Sequence, residues 1–131
     1  MLHHVELYVA DLQRSLAFWT PLLGKLGYHE SQRWPEGVSY MHGPTYLCFV
    51  QAPAAHLDAG YHRQRVGLNH LAFHGNSRAH VDELAQWLKS SGCAVLYEDR
   101  YPYAGGPGYY ALYCEDPDRI KVEIVAPDDV Q

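Results

Sequence analysis

Residues 3–10, HHVELYVA, are rich in β-branched and aromatic side chains and predict a strand. Asp11 follows as a helix N-cap, its carboxylate placed to accept from amides that have no partner in the first turn. Leu12, Leu16, Trp19 and Leu23 then recur at helical spacing and give that helix one buried stripe. Pro21 interrupts it by removing a backbone donor, so Thr20-Pro21 is expected to restart a last turn, with Gly24 and Gly27 ending the element. Three strands are predicted next, at 27–34, 37–42 and 45–51, separated by Pro35-Glu36-Gly37 and Gly43-Pro44.

The same order then repeats. Residues 66–74 predict a strand, Ser77 a cap, and Val81, Leu84, Ala85 and Leu88 the apolar stripe of a second helix stopped by Gly92. Strands are predicted at 94–99, 109–115 and 119–126, the last two joined by Asp116-Pro117-Asp118. The chain therefore reads as an α+β protein made of two tandem βαβββ modules, about 1–51 and 66–131, joined by an aperiodic connection at 52–65. Each half alone exposes a half-sheet, so the two are expected to fold together as a single domain. Gly105-Gly106-Pro107-Gly108 lies among Tyr101, Tyr103 and Tyr109. No Lys-Ser/Thr pair or helix start follows it, so it is not a phosphate loop; it reads as a lid over a pocket or a plain surface turn.

Residues two apart on a strand share a face. His4, Glu6 and Tyr8 therefore line one side of the first strand, His70, Ala72 and His74 one side of the fifth, and Lys121, Glu123 and Val125 one side of the last. His4 and His70 open the matching strands of the two halves. Two imidazoles and the Glu123 carboxylate, with open positions left over, suit Fe, Mn, Ni or Zn as a divalent ion. Spacing alone leaves a second reading open, in which the histidines are satisfied core residues and the glutamate is on the surface.

Composition narrows the classes. The chain has nine histidines and eleven tyrosines, and its formal charge of −5 carries no basic patch, which argues against nucleic acid as a partner. No apolar run reaches the roughly 20 residues of a membrane span, so no membrane is expected. The start lacks the pattern of a secretory signal, and three scattered cysteines offer no pairing framework; a cytoplasmic location is expected.

Three segments together resemble the vicinal oxygen chelate superfamily, which includes glyoxalase I, fosfomycin-resistance proteins, extradiol dioxygenases and bleomycin-binding proteins. They are HVELYVADL at 4–12 with Phe18-Trp19 and Leu23-Gly24, GLNHLAF at 67–73, and Asp116-Pro117-Asp118 leading to Glu123-Ile124-Val125. The resemblance implies a half-open barrel, a homodimer, and metal ligation by His4, His70 and Glu123. A fourth ligand, found in glyoxalase I on the last strand of the first half, has no counterpart in Tyr46–Gln51. Matching Ala52-Pro53 to Ala126-Pro127 puts Phe49 opposite Glu123, with Cys48 beside it as a possible thiolate. Tyr113 falls where fosfomycin-resistance enzymes keep a substrate-contacting tyrosine, and Arg119 replaces the usual glycine after Asp-Pro-Asp.

The function implied is a metal-dependent lyase or isomerase of glyoxalase type that chelates a small oxygen-rich molecule. Glu6 is expected as general base, and Tyr113, His74, Tyr46 and Tyr103 as substrate contacts. The alternatives are a toxin- or antibiotic-binding resistance protein without turnover, as among bleomycin-binding relatives, and a small non-haem Fe(II) dioxygenase.

Overall fold

The computed structural model describes residues 1–128 and divides into two compact units, Met1–Tyr61 and His62–Gln131. Their boundary falls inside the expected connection; residues 129–131 of the predicted second half lie outside the described residues. Each unit is one βαβββ module, so the predicted duplication is the observed architecture.

The first unit comprises β1 (His4–Val9), α1 (Leu12–Lys25), β2 (His29–Trp34), β3 (Gly37–His42) and β4 (Thr45–Gln51). Its sheet has the order β1-β4-β3-β2, with β1 and β4 parallel and the other pairs antiparallel. Asp11 caps α1 by accepting from the Arg14 amide at 3.2 Å. The Gln51 carboxamide closes the other side of that junction, accepting from Leu12 N at 2.9 Å and donating to Ala10 O at 2.8 Å. Leu12, Leu16, Trp19 and Leu23 are all buried, as their spacing predicts.

The expectation at Pro21 is corrected: α1 runs through it as one helix. Pro21 and Ala17, whose carbonyl loses its usual partner, both lie on the exposed side, where water can replace the missing bond. Gly24 sits inside the helix, and the stop comes at Gly27, whose φ of +91° suits glycine.

The second unit comprises β5 (His70–His74), α2 (Arg78–Ser90), β6 (Val95–Leu96), β7 (Ala111–Glu115) and β8 (Lys121–Val125), in the order β5-β8-β7-β6. Here β5 and β8 are parallel. Ser77 caps α2 through His80 N at 3.0 Å, and Val81, Leu84, Ala85 and Leu88 form its buried stripe.

Most strands are shorter than predicted, three of them at loop junctions that matter for the site. β5 begins at His70 rather than 66 and β7 at Ala111 rather than 109, and β6 has two residues before Tyr97 turns left-handed at φ +58°. The cause near β7 is local pairing: Tyr109 N bonds Gly106 O within a turn, and Ala111 N bonds Pro102 O. At the β7–β8 turn Asp116 Oδ1 accepts from the amides of Asp118 and Ile120 at 2.9 and 2.8 Å, while Arg119 adopts φ +65°. Among the described residues no helix is long and apolar enough to cross a membrane.

Candidate functional site

In the second unit the register sets Ala72 beside Glu123, and Glu123 beside Tyr113. Val122 and Ile124 are fully buried and belong to the opposite face of β8. The polar face of three adjacent strands thus carries His70, His74, Lys121, Glu123 and Tyr113. Glu123 is only 4% exposed, which is costly for a carboxylate unless its oxygens are partnered.

Its partners are specific. Tyr109 donates its hydroxyl to Glu123 Oε2 at 2.5 Å. That bond, then burial, pushes the Tyr109 phenol up to about 12. Tyr113 is raised as well, first by burial and then by its own hydrogen bond to Glu123. Both therefore remain neutral donors near neutral pH. Gly105 lets the loop close in: a Cβ there would lie 2.6 Å from the Tyr113 hydroxyl and 2.7 Å from the Tyr109 ring. The glycine-rich segment therefore runs close beside these two tyrosines, with Gly105, Pro107 and Gly108 themselves exposed.

The other oxygen, Oε1, faces His70 Nε2 at 3.6 Å. On its far side the imidazole bonds Asn69 Oδ1 through Nδ1 at 2.6 Å. A carbonyl oxygen only accepts, so the proton is on Nδ1, and a neutral ring then presents a lone pair at Nε2. Two lone-pair-bearing atoms facing each other require a proton or a cation between them. Ligands held at about 2.1 Å around a tetrahedral ion lie about 3.4 Å apart, so this gap fits a metal. Asn69 occupies the place of an outer partner that fixes the ligand ring.

The first unit carries a comparable face on β1 and β4. His4 stacks on Tyr46 with centroids 4.5 Å apart and planes 1° from parallel. Its Nδ1 pairs with His3 Nδ1 at 2.9 Å; when His4 is the donor of that pair, a neutral ring carries its lone pair on Nε2. Glu6 is exposed, stands beside Cys48 in register, and meets the Cys48 thiol. Burial, then the Glu6 charge, raises that thiol, so Cys48 is not a ready thiolate.

The expected match of Phe49 to Glu123 is off by one residue. Phe49 is fully buried against Trp19 of α1, with centroids 4.8 Å apart. Register pairs Glu6 with Cys48 as it pairs Ala72 with Glu123, so Cys48 holds that place.

Of the remaining predicted contacts, His74 is exposed on β5. Tyr103 packs edge-on against Tyr110, 5.8 Å away, in a separate cluster where Tyr101 and Tyr110 both donate to Asp82. Among the described residues no group of three histidine, cysteine, aspartate or glutamate side chains is gathered as a metal site; the pair brought together is His70 with Glu123. Sequence reasoning passes over Asn69, Tyr109 as a partner of Glu123, and Tyr97. Strand parity could have found Tyr109, which is in phase with Ala111 and Tyr113.

The sequence profile of the glyoxalase/bleomycin resistance protein/dioxygenase superfamily matches residues 1–124. The chain is 55% identical over 126 residues to the uncharacterized protein YqjT of Bacillus subtilis, covering 96% of this chain and 98% of that one. It is 30% identical over 123 residues to glutathione transferase FosA of Serratia marcescens, covering 94% and 78% respectively. Among solved structures, a candidate glyoxalase from Bacillus halodurans superposes with a TM-score of 0.95 at 61% identity, covering 97% of this chain and 96% of that one. The fosfomycin resistance protein FosX of Listeria monocytogenes shares the fold, with a TM-score of 0.69 at 23% identity over 98% and 94%.

Proposed function

Because the chain belongs to the glyoxalase/bleomycin resistance protein/dioxygenase superfamily, we propose that it is a metal-dependent enzyme of glyoxalase type acting on a small oxygen-rich molecule. The observation that supports this best is the 3.6 Å gap between His70 Nε2 and the buried Glu123 Oε1, with the far nitrogen of His70 tied to Asn69. His70 and Glu123 supply two ligands. His4 is assigned as the third from its motif. A divalent ion held there, zinc, nickel, manganese or iron, supplies Lewis acidity toward two vicinal oxygens.

The chain's own groups do the rest. Tyr109 and Tyr113 donate to Glu123 and hold its carboxylate in one rotamer, so the ligand set is preorganised. Gly105 lets the backbone approach both tyrosines closely. Glu6 is assigned as the general base, and Tyr46, Tyr113 and His74 as substrate contacts; Tyr103, held in the Asp82 cluster, is not assigned a contact. A homodimer is the assembly we propose, and the cytoplasm the location.

The test is metal analysis of the purified protein. Wild type should hold about one ion per chain, and Glu123→Ala and Glu123→Gln should lose it while keeping the native circular dichroism. Full occupancy in Glu123→Gln would remove Glu123 from the site and the proposal with it. Native iron with oxygen uptake would instead direct the assignment to a dioxygenase.

A further inference from the structure

Lys121 lies two residues before Glu123 on β8 and in register with His70. Its ammonium stands 5.0 Å from the centroid of the Tyr97 ring and 5.2 Å from that of Tyr113, and donates to the Tyr97 hydroxyl at 3.2 Å. Among the described residues it has no carboxylate partner. The acid opposite it in register, Glu115, is taken by Arg63 at 2.8 Å and Arg119 at 3.6 Å. One proton of the ammonium is used, and two remain.

A half-buried cation held between two aromatic rings, with donors to spare, is arranged to receive an anion. The Tyr113 side chain meets both Lys121 and Glu123, so the ammonium belongs to the wall that carries the ligands. Two residues along a strand span about 7 Å.

We infer that Lys121 binds an oxyanion on the substrate, several bonds away from the oxygens that would be chelated. The inference rests on the proposed metal reading for the chelating end of the molecule, and on Lys121 and its tyrosines alone for the anionic end. The substrate class is thus an acid or phosphate ester bearing vicinal oxygens at one end and a second negative group at the other. Two rival roles make different predictions. A lysine that only neutralises Glu123 alters metal affinity when its charge is removed, and one that only packs on Tyr97 and Tyr113 alters neither metal nor anion binding.

Calorimetric titration separates these. Lactate presents vicinal oxygens alone, while malate adds a remote carboxylate and 3-phosphoglycerate a remote phosphate. Metal-loaded wild type is expected to bind at least one of the latter two roughly ten- to a hundredfold tighter than lactate, the range of a hydrogen bond to a charged group. Lys121→Arg should keep that gain. Lys121→Met, which retains the stem packing, should reduce it to the lactate level with metal occupancy unchanged. No gain in wild type, or full gain in Lys121→Met, overturns the inference.

Metal content and inorganic phosphate binding to metal-stripped protein keep the two readings distinguishable. Absence of metal from wild type defeats the metal proposal alone. Phosphate binding that weakens in Lys121→Met then upholds the anion site, and phosphate binding that is indifferent to the substitution refutes it.

Discussion

The two modules share one strand plan, yet they place an acid differently upon it. In the first, Glu6 is on the opening strand and Cys48 faces it from the closing strand; in the second, Ala72 is on the opening strand and Glu123 faces it. Glu6 is exposed, whereas Glu123 is 4% exposed and bonded by tyrosines from the segment ahead of β7 and from β7 itself. The first module has a short turn at Pro35-Glu36 where the second has residues 97–110. One scaffold occurs twice, and the longer connection of the second copy brings Tyr109 onto its acid. An open acid is suited to exchanging protons, and a covered one to holding a cation.

The comparison can be broken most severely at that longer connection. Gly105→Ala puts a methyl group against the Tyr113 hydroxyl and the Tyr109 ring, and either the loop or the tyrosines must move. A cost of about 1–3 kcal/mol is expected from such overpacking. Chemical denaturation should show it, and tyrosine emission should shift as the phenols leave Glu123.

A smaller effect sharpens the ligand geometry. Asn69→Ala frees the His70 ring to turn, and metal affinity is expected to fall about tenfold by competition with a chelating dye, in line with the loss of an outer partner. His3→Ala is the matching change on the first module. Equal losses would make the two imidazoles equivalent ligands, and no loss in either would count against the assigned set.

The smallest expected effect concerns pH. Tyr110 is raised first by its bond to Asp82, and Tyr101 first by burial and then by the same carboxylate. Both phenols have folded values above their unfolded ones. Their contribution to stability is therefore complete below about pH 10 and is lost as pH rises through the folded values. Asp82→Asn should move both titrations back toward the ordinary range, with Tyr101 staying raised by its burial. Ultraviolet titration near 295 nm measures this, and an unmoved Tyr110 would contradict the assigned cause.

Both helices are legible in the sequence because each shows a periodic stripe, a capping side chain and a glycine stop, three independent signals in agreement. Strand ends near the loops are not, since Tyr97, Tyr109 and Ala111 spend their backbone groups on turns that alternation does not encode. The family motif identifies His70 and Glu123, but matching the two modules from their Ala-Pro ends slips by one residue and names Phe49 instead of Cys48. A slip of one inverts the face, so only register resolves it. Asn69 and Tyr97 carry no periodic signal. Asn69 acts on its neighbour His70, and Tyr97 meets Lys121 and Tyr113 only once the sheet has formed.

In both sheets the opening strand is an edge whose one neighbour is the module's closing strand, some forty to fifty residues later. A growing chain therefore leaves β5 without a mate until β8 has emerged, and the residue assigned to grip the ion arrives with that last ribbon. Ejection of an unfinished polypeptide before that point leaves the second sheet unclosed and removes ion capture in the same stroke. Premature termination is thus expected to release inert fragments rather than half-competent ones that sequester scarce metal.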